Sequence, residues 1–203
     1  LRWTHPERGI VPPSLSIPVA EETGLIVELG RWVLRESCRQ ASEWRTTIPD
    51  MAINVNVSAR QMMDSAFVSD VSGALAASGL PADCLTLELT ETVLINDPDK
   101  ALQQLHDLRD IGVRLSIDDF GTGYSSLSYL RQFPVNQLKI DRTFVAGITK
   151  SNENLAVVRT VVELGRTLRL QTVAEGIEDR DQLKALRRLG CHLGQGYHLA
   201  VPL

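Results

Sequence analysis

Strand-like and helix-like segments alternate along nearly the whole chain, and this alternation constrains the fold more than any other feature. Apolar residues at every second position predict strands, as where Ile53, Val55 and Val57 alternate with asparagines. Segments of helical periodicity separate these strands. Strands joined by helices pair in parallel through right-handed crossovers. The sequence therefore predicts an α/β fold built on a parallel sheet.

The same patterns predict where each element lies. Strands are expected over 51–58, 85–91, 113–118, 137–141, 170–175 and 193–197, and helices over 26–44, 66–78, 98–112, 154–168 and 181–189. A loop is expected from Pro6 to Pro13, with a helical turn opening at Pro18. No low-complexity segment or linker divides the 203 residues, so a single domain spanning 1–203 is predicted.

Five predicted strands carry a polar side chain near the carboxyl end: Asn56, Glu88, Asp118, Lys139 and Glu175. Parallel strands that are buried on both faces should be apolar throughout, so these positions need another explanation. In a (β/α) barrel, groups at the carboxyl ends of many strands converge on the active site. An open doubly wound sheet would use one or two strands at a switch point. The pattern therefore favours a barrel.

The adjacent carboxylates Asp118 and Asp119 close the strand over 113–118 and precede a glycine-rich segment. Neighbouring carboxylates raise each other's pKa unless a cation neutralises them, and Mg²⁺ or Mn²⁺ suits their oxygens. Lys139 could neutralise these carboxylates, or it could orient and deprotonate a water bound to the metal. The alternative is that Asp119 caps a turn, because aspartate before glycine is common in turns. These interpretations stay open on the residues alone.

Composition excludes several other functions. Hydrophobic residues make up 43% and charged residues 23%, which is typical of a globular domain. The formal net charge of −4 argues against a general surface for a nucleic-acid polymer. Three cysteines and four histidines are scattered without metal-ligand spacing, so a zinc site is not expected. The three cysteines are expected to be reduced thiols.

Several motifs together resemble the EAL domain family over essentially the whole chain. They are Asn56–Gln61 (NVSARQ), Glu88–Glu91 (ELTE), Asp118–Leu127 (DDFGTGYSSL), Leu138–Asp141 (LKID), Ala174–Glu178 (AEGIE) and Gln195–Tyr197 (QGY). The resemblance implies a TIM-barrel-like (β/α)8 fold, in which this chain would lack the first strand and most of the second. It also implies the hydrolysis of cyclic di-GMP to linear pGpG at a two-metal site that holds Mg²⁺ or Mn²⁺.

Site roles follow from the resemblance, motif by motif. Asn56, Glu88 and Asp118 resemble ligands of the first metal, Asp119 resembles a ligand of the second metal, and Glu175 resembles a further carboxylate of the metal site. Lys139 resembles the residue that activates the attacking water, and Gln195 one that positions water or metal. Arg2 resembles an arginine that binds substrate phosphate. Glu91 resembles the glutamate that anchors the loop over 121–126, through which a homodimer would form.

The chain departs from the family pattern in ways that bear on function. The signature Glu-Ala-Leu would lie just before Leu1, so this chain by itself is expected to lack one metal ligand and to be inactive alone. Val201 stands where the family usually has a basic residue. The alternative function is a noncatalytic cyclic di-GMP receptor that has lost the signature glutamate. The resemblance also implies a cytoplasmic location, with a parent protein that carries sensor or diguanylate cyclase domains and could be tethered to the membrane.

Overall fold

The computed structural model describes residues 3–91, 97–121 and 130–201. These residues belong to two compact units. The first unit comprises Leu1–Leu87 with Asp107–Arg114, and the second comprises Glu88–His106 with Leu115–Leu203.

The described elements follow one another in the predicted alternation. The strands are β1 (Trp3–His5), β2 (Gly9–Val11), β3 (Ile53–Val57), β4 (Leu85–Thr90), β5 (Arg114–Phe120), β6 (Gln137–Ile140), β7 (Gln171–Ala174) and β8 (Leu193–Gly194). The helices are α1 (Pro13–Thr23), α2 (Ile26–Arg45), α3 (Ala59–Met62), α4 (Phe67–Ser78), α5 (Pro98–Ile111), α6 (Arg142–Gly147), α7 (Asn152–Leu168) and α8 (Arg180–Leu189), with a 3₁₀ turn at Ala82–Cys84. Each strand from β3 to β8 lies within or close to a predicted strand.

The prediction of a loop from Pro6 to Pro13 is wrong. Strands β1 and β2 pair antiparallel, with Trp3 opposite Val11, and α1 begins at Pro13 rather than at Pro18. Strands of three residues are too short to show alternation, which explains why the sequence pattern missed them. Proline suits the first position of a helix because its missing N–H would have no partner there.

In the first unit, α2 packs against α4 and against β3. Leu34, Cys38 and Ala41 recur at helical spacing on α2 and are buried. At the end of β3, Ser58 forms a capping box with Gln61: the Ser58 hydroxyl accepts from the Gln61 backbone N–H, and the Gln61 side chain accepts from the Ser58 N–H. The strand therefore ends at Val57 and α3 begins directly after it.

In the second unit the strand order is β4, β5, β6, β7 and β8, and β5 to β8 pair in parallel. All four residues of β6 are buried, including Lys139, which lies opposite Val173 of β7. On one face of the strand Leu138 and Ile140 are fully buried. The other face carries Gln137 and Lys139. This alternation places a lysine in the interior of the unit.

The three cysteines form no disulfide among the described residues. Cys38 is fully buried, whereas Cys84 and Cys191 are half-buried, and all three are free thiols. Burial raises the pKa of Cys38 to about 11, so its thiol stays protonated at neutral pH. Among the described helices, none combines the length and apolar character needed to cross a bilayer.

Two glycines should respond in opposite ways to replacement by alanine. A Cβ on Gly196, whose φ is +153°, would lie 2.2 Å from the backbone nitrogen of Ile177, whereas a Cβ on Gly73 within α4 would meet nothing within 4 Å. We expect Gly196→Ala to lower the free energy of unfolding by about 2 kcal/mol or more. Gly73→Ala should raise it by about 0.5–1 kcal/mol. Chemical denaturation measures both, and equal effects would contradict the packing around Gly196.

Candidate functional site

One lysine and three carboxylates of the second unit form a cluster on neighbouring strands, in which Lys139 and Glu88 are buried and Asp118 and Glu175 are partly exposed. The Lys139 ammonium of β6 lies 2.8 Å from Glu88 Oε2 of β4, 3.1 Å from Asp118 Oδ2 of β5 and 2.5 Å from Glu175 Oε1, which follows β7. Lys139 is 3% exposed and Glu88 is 5% exposed. Four of the five polar strand ends singled out in the sequence therefore meet at one place, as predicted.

The protonation state of Lys139 follows from its surroundings. Burial by itself would lower the pKa of Lys139, but the charge of Glu88 and the hydrogen bonds with Glu175 and Glu88 outweigh burial and raise that pKa above its ordinary value. Lys139 is therefore a charged hydrogen-bond donor to the carboxylates.

Glu175 is held by two donors. Gln195 Nε2 donates to Glu175 Oε1 at 2.7 Å, and the Lys139 ammonium contacts the same oxygen. Burial raises the pKa of Glu175, although the hydrogen bond and charge of Lys139 oppose this shift. The lysine and the amide together fix the direction in which the Glu175 carboxylate points.

Asp119 occupies an unusual backbone conformation. The sequence pattern ended this strand at Asp118, but in the structure Asp119 lies inside β5. Its φ of +53° is in the left-handed region that few non-glycine residues adopt. The pairing register of β5 with β6 shifts between Ile117 and Phe120, which accommodates this conformation. The Asp119 N–H donates to Asp118 Oδ1 at 3.0 Å. The bend turns two successive carboxylates of one strand toward the same site.

Asp119 also faces Asp141, a residue that the sequence reasoning did not select. Burial, the charge of Asp118 and a hydrogen bond with Asp141 raise the pKa of Asp119. Burial would raise the pKa of Asp141 too, but hydrogen bonds from Thr143 outweigh it and lower that pKa. The Thr143 N–H donates to Asp141 Oδ1 at 2.9 Å. Asp141 continues the alternation of Gln137 and Lys139, so the pattern could have identified it.

The carboxylates fit a hard divalent cation. Asp118, Asp119 and Glu175 each offer an oxygen, and these oxygens all lie within 4.8 Å of one another. Hard cations bind carboxylate oxygens at about 2.0–2.6 Å, so one ion can reach oxygens at this separation. With Glu88, the cluster holds four carboxylates against the single ammonium of Lys139. Excess negative charge of this kind is balanced by a cation.

The remaining predicted site residues stand as follows. Asn56 lies on β3 in the first unit with its side chain exposed, and its role as a metal ligand stays a prediction. Glu91 is 4% exposed: its Oε2 accepts from the Gly121 N–H at 3.4 Å, and its Oε1 is buried without a partner among the described residues. This contact is consistent with an anchoring role. Arg2 and residues 122–126 of the predicted dimerisation loop lie outside the described residues.

A groove opens beside the cluster within the second unit. Its volume is about 470 Å³, which is in the range of ligand pockets. Glu175 and Gln195 line it, together with Arg142, Glu178, Tyr197 and several small or apolar residues. A ligand in this groove would contact the carboxylate of Glu175. Arg142, like Asp141, was not selected from the sequence.

Comparison with known proteins adds independent information. The chain is 46% identical over 204 residues to the bifunctional diguanylate cyclase/cyclic di-GMP phosphodiesterase MucR of Pseudomonas aeruginosa, covering 100% of this chain and 30% of that protein. It is 42% identical over 203 residues to the oxygen sensor protein DosP of Escherichia coli, covering 100% of this chain and 25% of that protein. The chain thus spans about a quarter to a third of these curated relatives.

Solved structures give the same result. The structure described as "PaMucR Phosphodiesterase, c-di-GMP complex" matches with a TM-score of 0.96 at 45% identity, covering 100% of this chain and 82% of that one. The EAL enzyme Bd1971 with cAMP and cyclic-di-GMP bound matches with a TM-score of 0.93 at 32% identity, covering 100% and 56%. These likenesses confirm the predicted TIM-barrel-like α/β fold class.

A family model settles the membership of the chain. The model described as "EAL domain" matches residues 1–202, which is nearly the full length. The motifs that suggested this family all lie in the matched range. The chain therefore belongs to the EAL domain family.

Proposed function

We propose that the protein containing this chain hydrolyses cyclic di-GMP to linear pGpG in bacterial second-messenger signalling, with Mg²⁺ or Mn²⁺ as cofactor. The single observation that carries the proposal is the buried contact of Lys139 with the carboxylates of Glu88, Asp118 and Glu175. An arrangement of this kind at the ends of neighbouring strands is typical of active sites on (β/α) folds. The similarity to MucR, a cyclic di-GMP phosphodiesterase by name, supports the same substrate.

The cofactor would be held by carboxylate oxygens of the cluster. Asp118, Asp119 and Glu175 present oxygens within 4.8 Å of one another, and Glu88 and Asn56 are further proposed ligands. When bound, Mg²⁺ or Mn²⁺ supplies charge stabilisation at phosphorus and favours ionisation of the attacking water. Two such ions are proposed, with Asp119 serving the second.

The residues of the chain have separate parts in the reaction. A water oxygen forms a bond to phosphorus, the bond from phosphorus to the 3′ oxygen breaks, and a proton reaches that 3′ oxygen, which opens the ring. Lys139, a charged donor, aligns the carboxylates and stabilises negative charge that develops beside them. Gln195 keeps Glu175 oriented toward the site through its 2.7 Å hydrogen bond. The groove beside Glu175 receives the nucleotide.

The setting of the reaction is also a proposal. Three free thiols among the described residues agree with the reducing cytoplasm, where such thiols persist. DosP is an oxygen sensor and MucR also carries a diguanylate cyclase, so sensor or cyclase domains are proposed to accompany this chain. A homodimer through the loop after Asp119 stays a prediction.

Replacement of Lys139 should strongly reduce the turnover of cyclic di-GMP. In the full-length protein with Mg²⁺ or Mn²⁺, we expect Lys139→Ala to lower kcat for cyclic di-GMP by about 10²-fold or more, because the carboxylates lose their internal counter-charge. Lys150→Ala removes an exposed lysine and should keep wild-type turnover. Chromatographic quantification of pGpG measures both.

The same assay separates the two candidate classes. A wild-type protein that yields no pGpG would refute the hydrolase proposal, and a Lys139→Ala variant with wild-type turnover would refute the part given to Lys139. Micromolar binding of cyclic di-GMP without turnover would indicate a receptor instead. Binding is measured by calorimetry on the same wild-type preparation.

Divalent cations should stabilise the folded protein through the carboxylate cluster. We expect millimolar Mn²⁺ to raise the thermal midpoint of the wild type, because the ion binds the folded state and offsets repulsion between carboxylates. Asp118→Asn and Asp119→Asn should each reduce this shift by half or more. Asp110→Asn changes an aspartate whose side chain is 73% exposed and should leave the shift intact. Equal shifts in all four proteins would show that Mn²⁺ binds elsewhere.

A further inference from the structure

The groove beside the carboxylate cluster carries an uneven distribution of charge. Glu175 and Glu178 are acidic, and among the described residues Arg142 is the cation that lines it. Tyr197 and Val201, which are 68% and 65% exposed, add an aromatic and an apolar side chain to the lining. A ligand in the groove can therefore contact both the carboxylate of Glu175 and the guanidinium of Arg142.

The backbone of Arg142 is held firmly next to Glu175. Gly176 directly follows Glu175, and a Cβ on Gly176 would lie only 2.6 Å from the Arg142 Cβ. The stem of the arginine thus packs into space that only a glycine leaves open. On its other side, Arg142 follows Asp141, whose carboxylate is fixed by Thr143. The packing against Gly176 places the backbone and Cβ of Arg142 beside Glu175.

The guanidinium of Arg142 is not paired with a carboxylate among the described residues. Within the part of the chain that the structure describes, Arg142 forms no salt bridge, in contrast to Arg31, which pairs with Asp70 at 2.8 Å, and to Arg39, which pairs with Glu36 and Glu43. The side chain is exposed toward the groove that it lines. A charged group positioned in this way is available to a ligand.

We propose that Arg142 binds the phosphate of cyclic di-GMP that is not hydrolysed. This inference rests on the proposed function, because it takes cyclic di-GMP as the ligand. That ligand carries two phosphodiester anions on opposite sides of its ring. The scissile phosphate lies at the carboxylate cluster, and Arg142 offers the second phosphate a positive group within the groove that Glu175 also lines. A guanidinium matches phosphate oxygens with two parallel hydrogen bonds, which also fixes the orientation of the ring.

The test compares Arg142 variants of the full-length protein in steady-state turnover of cyclic di-GMP. We expect Arg142→Ala to raise KM about tenfold or more, with a smaller effect on kcat, because a charged hydrogen bond to substrate is lost. Arg142→Lys should recover part of the affinity by keeping the charge. The double variant Arg142→Ala/Val201→Arg places a guanidinium at another lining position of the groove and should also lower KM relative to Arg142→Ala.

Bis(p-nitrophenyl) phosphate provides the second readout. This diester has one phosphate, so Arg142→Ala should impair its hydrolysis much less than that of cyclic di-GMP. Arg180→Ala removes a cation that does not line the groove and should keep the wild-type KM. Thermal midpoints confirm that each variant is folded.

The outcomes separate this inference from the proposed function. If the wild type converts cyclic di-GMP and the KM of Arg142→Ala stays within twofold, Arg142 does not bind the substrate. An equal loss with both substrates would assign Arg142 a structural part and would also overturn the inference. If the wild type converts no cyclic di-GMP, the proposed function is refuted, and the inference that rests on it is refuted as well.

Discussion

The site depends on one electrostatic arrangement, the enclosure of the Lys139 ammonium by three carboxylates. A buried ammonium is costly unless carboxylates pair with it, and buried carboxylates are equally costly without a cation. Glu88, Asp118 and Glu175 come from three strand ends, so the lysine on β6 links them electrostatically. The single positive charge leaves the carboxylates in excess. Internal pairing therefore supports the fold of the site while still leaving it attractive to divalent cations.

Backbone geometry adds precision to this charge balance. The left-handed conformation of Asp119 costs free energy, and such strain persists where the surrounding structure imposes it, often at functional sites. Here it brings the carboxylate of Asp119 close to those of Asp118 and Glu175. Gln195 donates a hydrogen bond to Glu175 and so holds the third of these carboxylates in place. The left-handed backbone of Asp119 and the hydrogen bond from Gln195 thus orient oxygens that repel one another, and a bound cation would relieve that repulsion.

Much of this could be predicted from the sequence, since alternation determines which residues of a strand share a face. Glu88, Asp118, Lys139 and Glu175 were found in this way, and their contacts confirm the convergence. The alternation does not report backbone strain, which is why Asp119 was placed beyond β5 instead of inside it. The alternation of Gln137, Lys139 and Asp141 could have identified Asp141, whereas Arg142 owes its place to a contact with Gly176, which is distant in sequence. The antiparallel pair β1–β2 was missed because three residues carry too little periodicity.

Anomalous diffraction from crystals grown with Mn²⁺ would show whether this cluster binds divalent cations. We expect one Mn²⁺ peak within about 2.0–2.6 Å of oxygens from Asp118 and Glu175, and a second at the same distance from an oxygen of Asp119. The first peak should disappear in crystals of Asp118→Asn. Crystals in which Mn²⁺ occupies only other positions, while Lys139 keeps its contacts with all three carboxylates, would show that the cluster does not bind these ions.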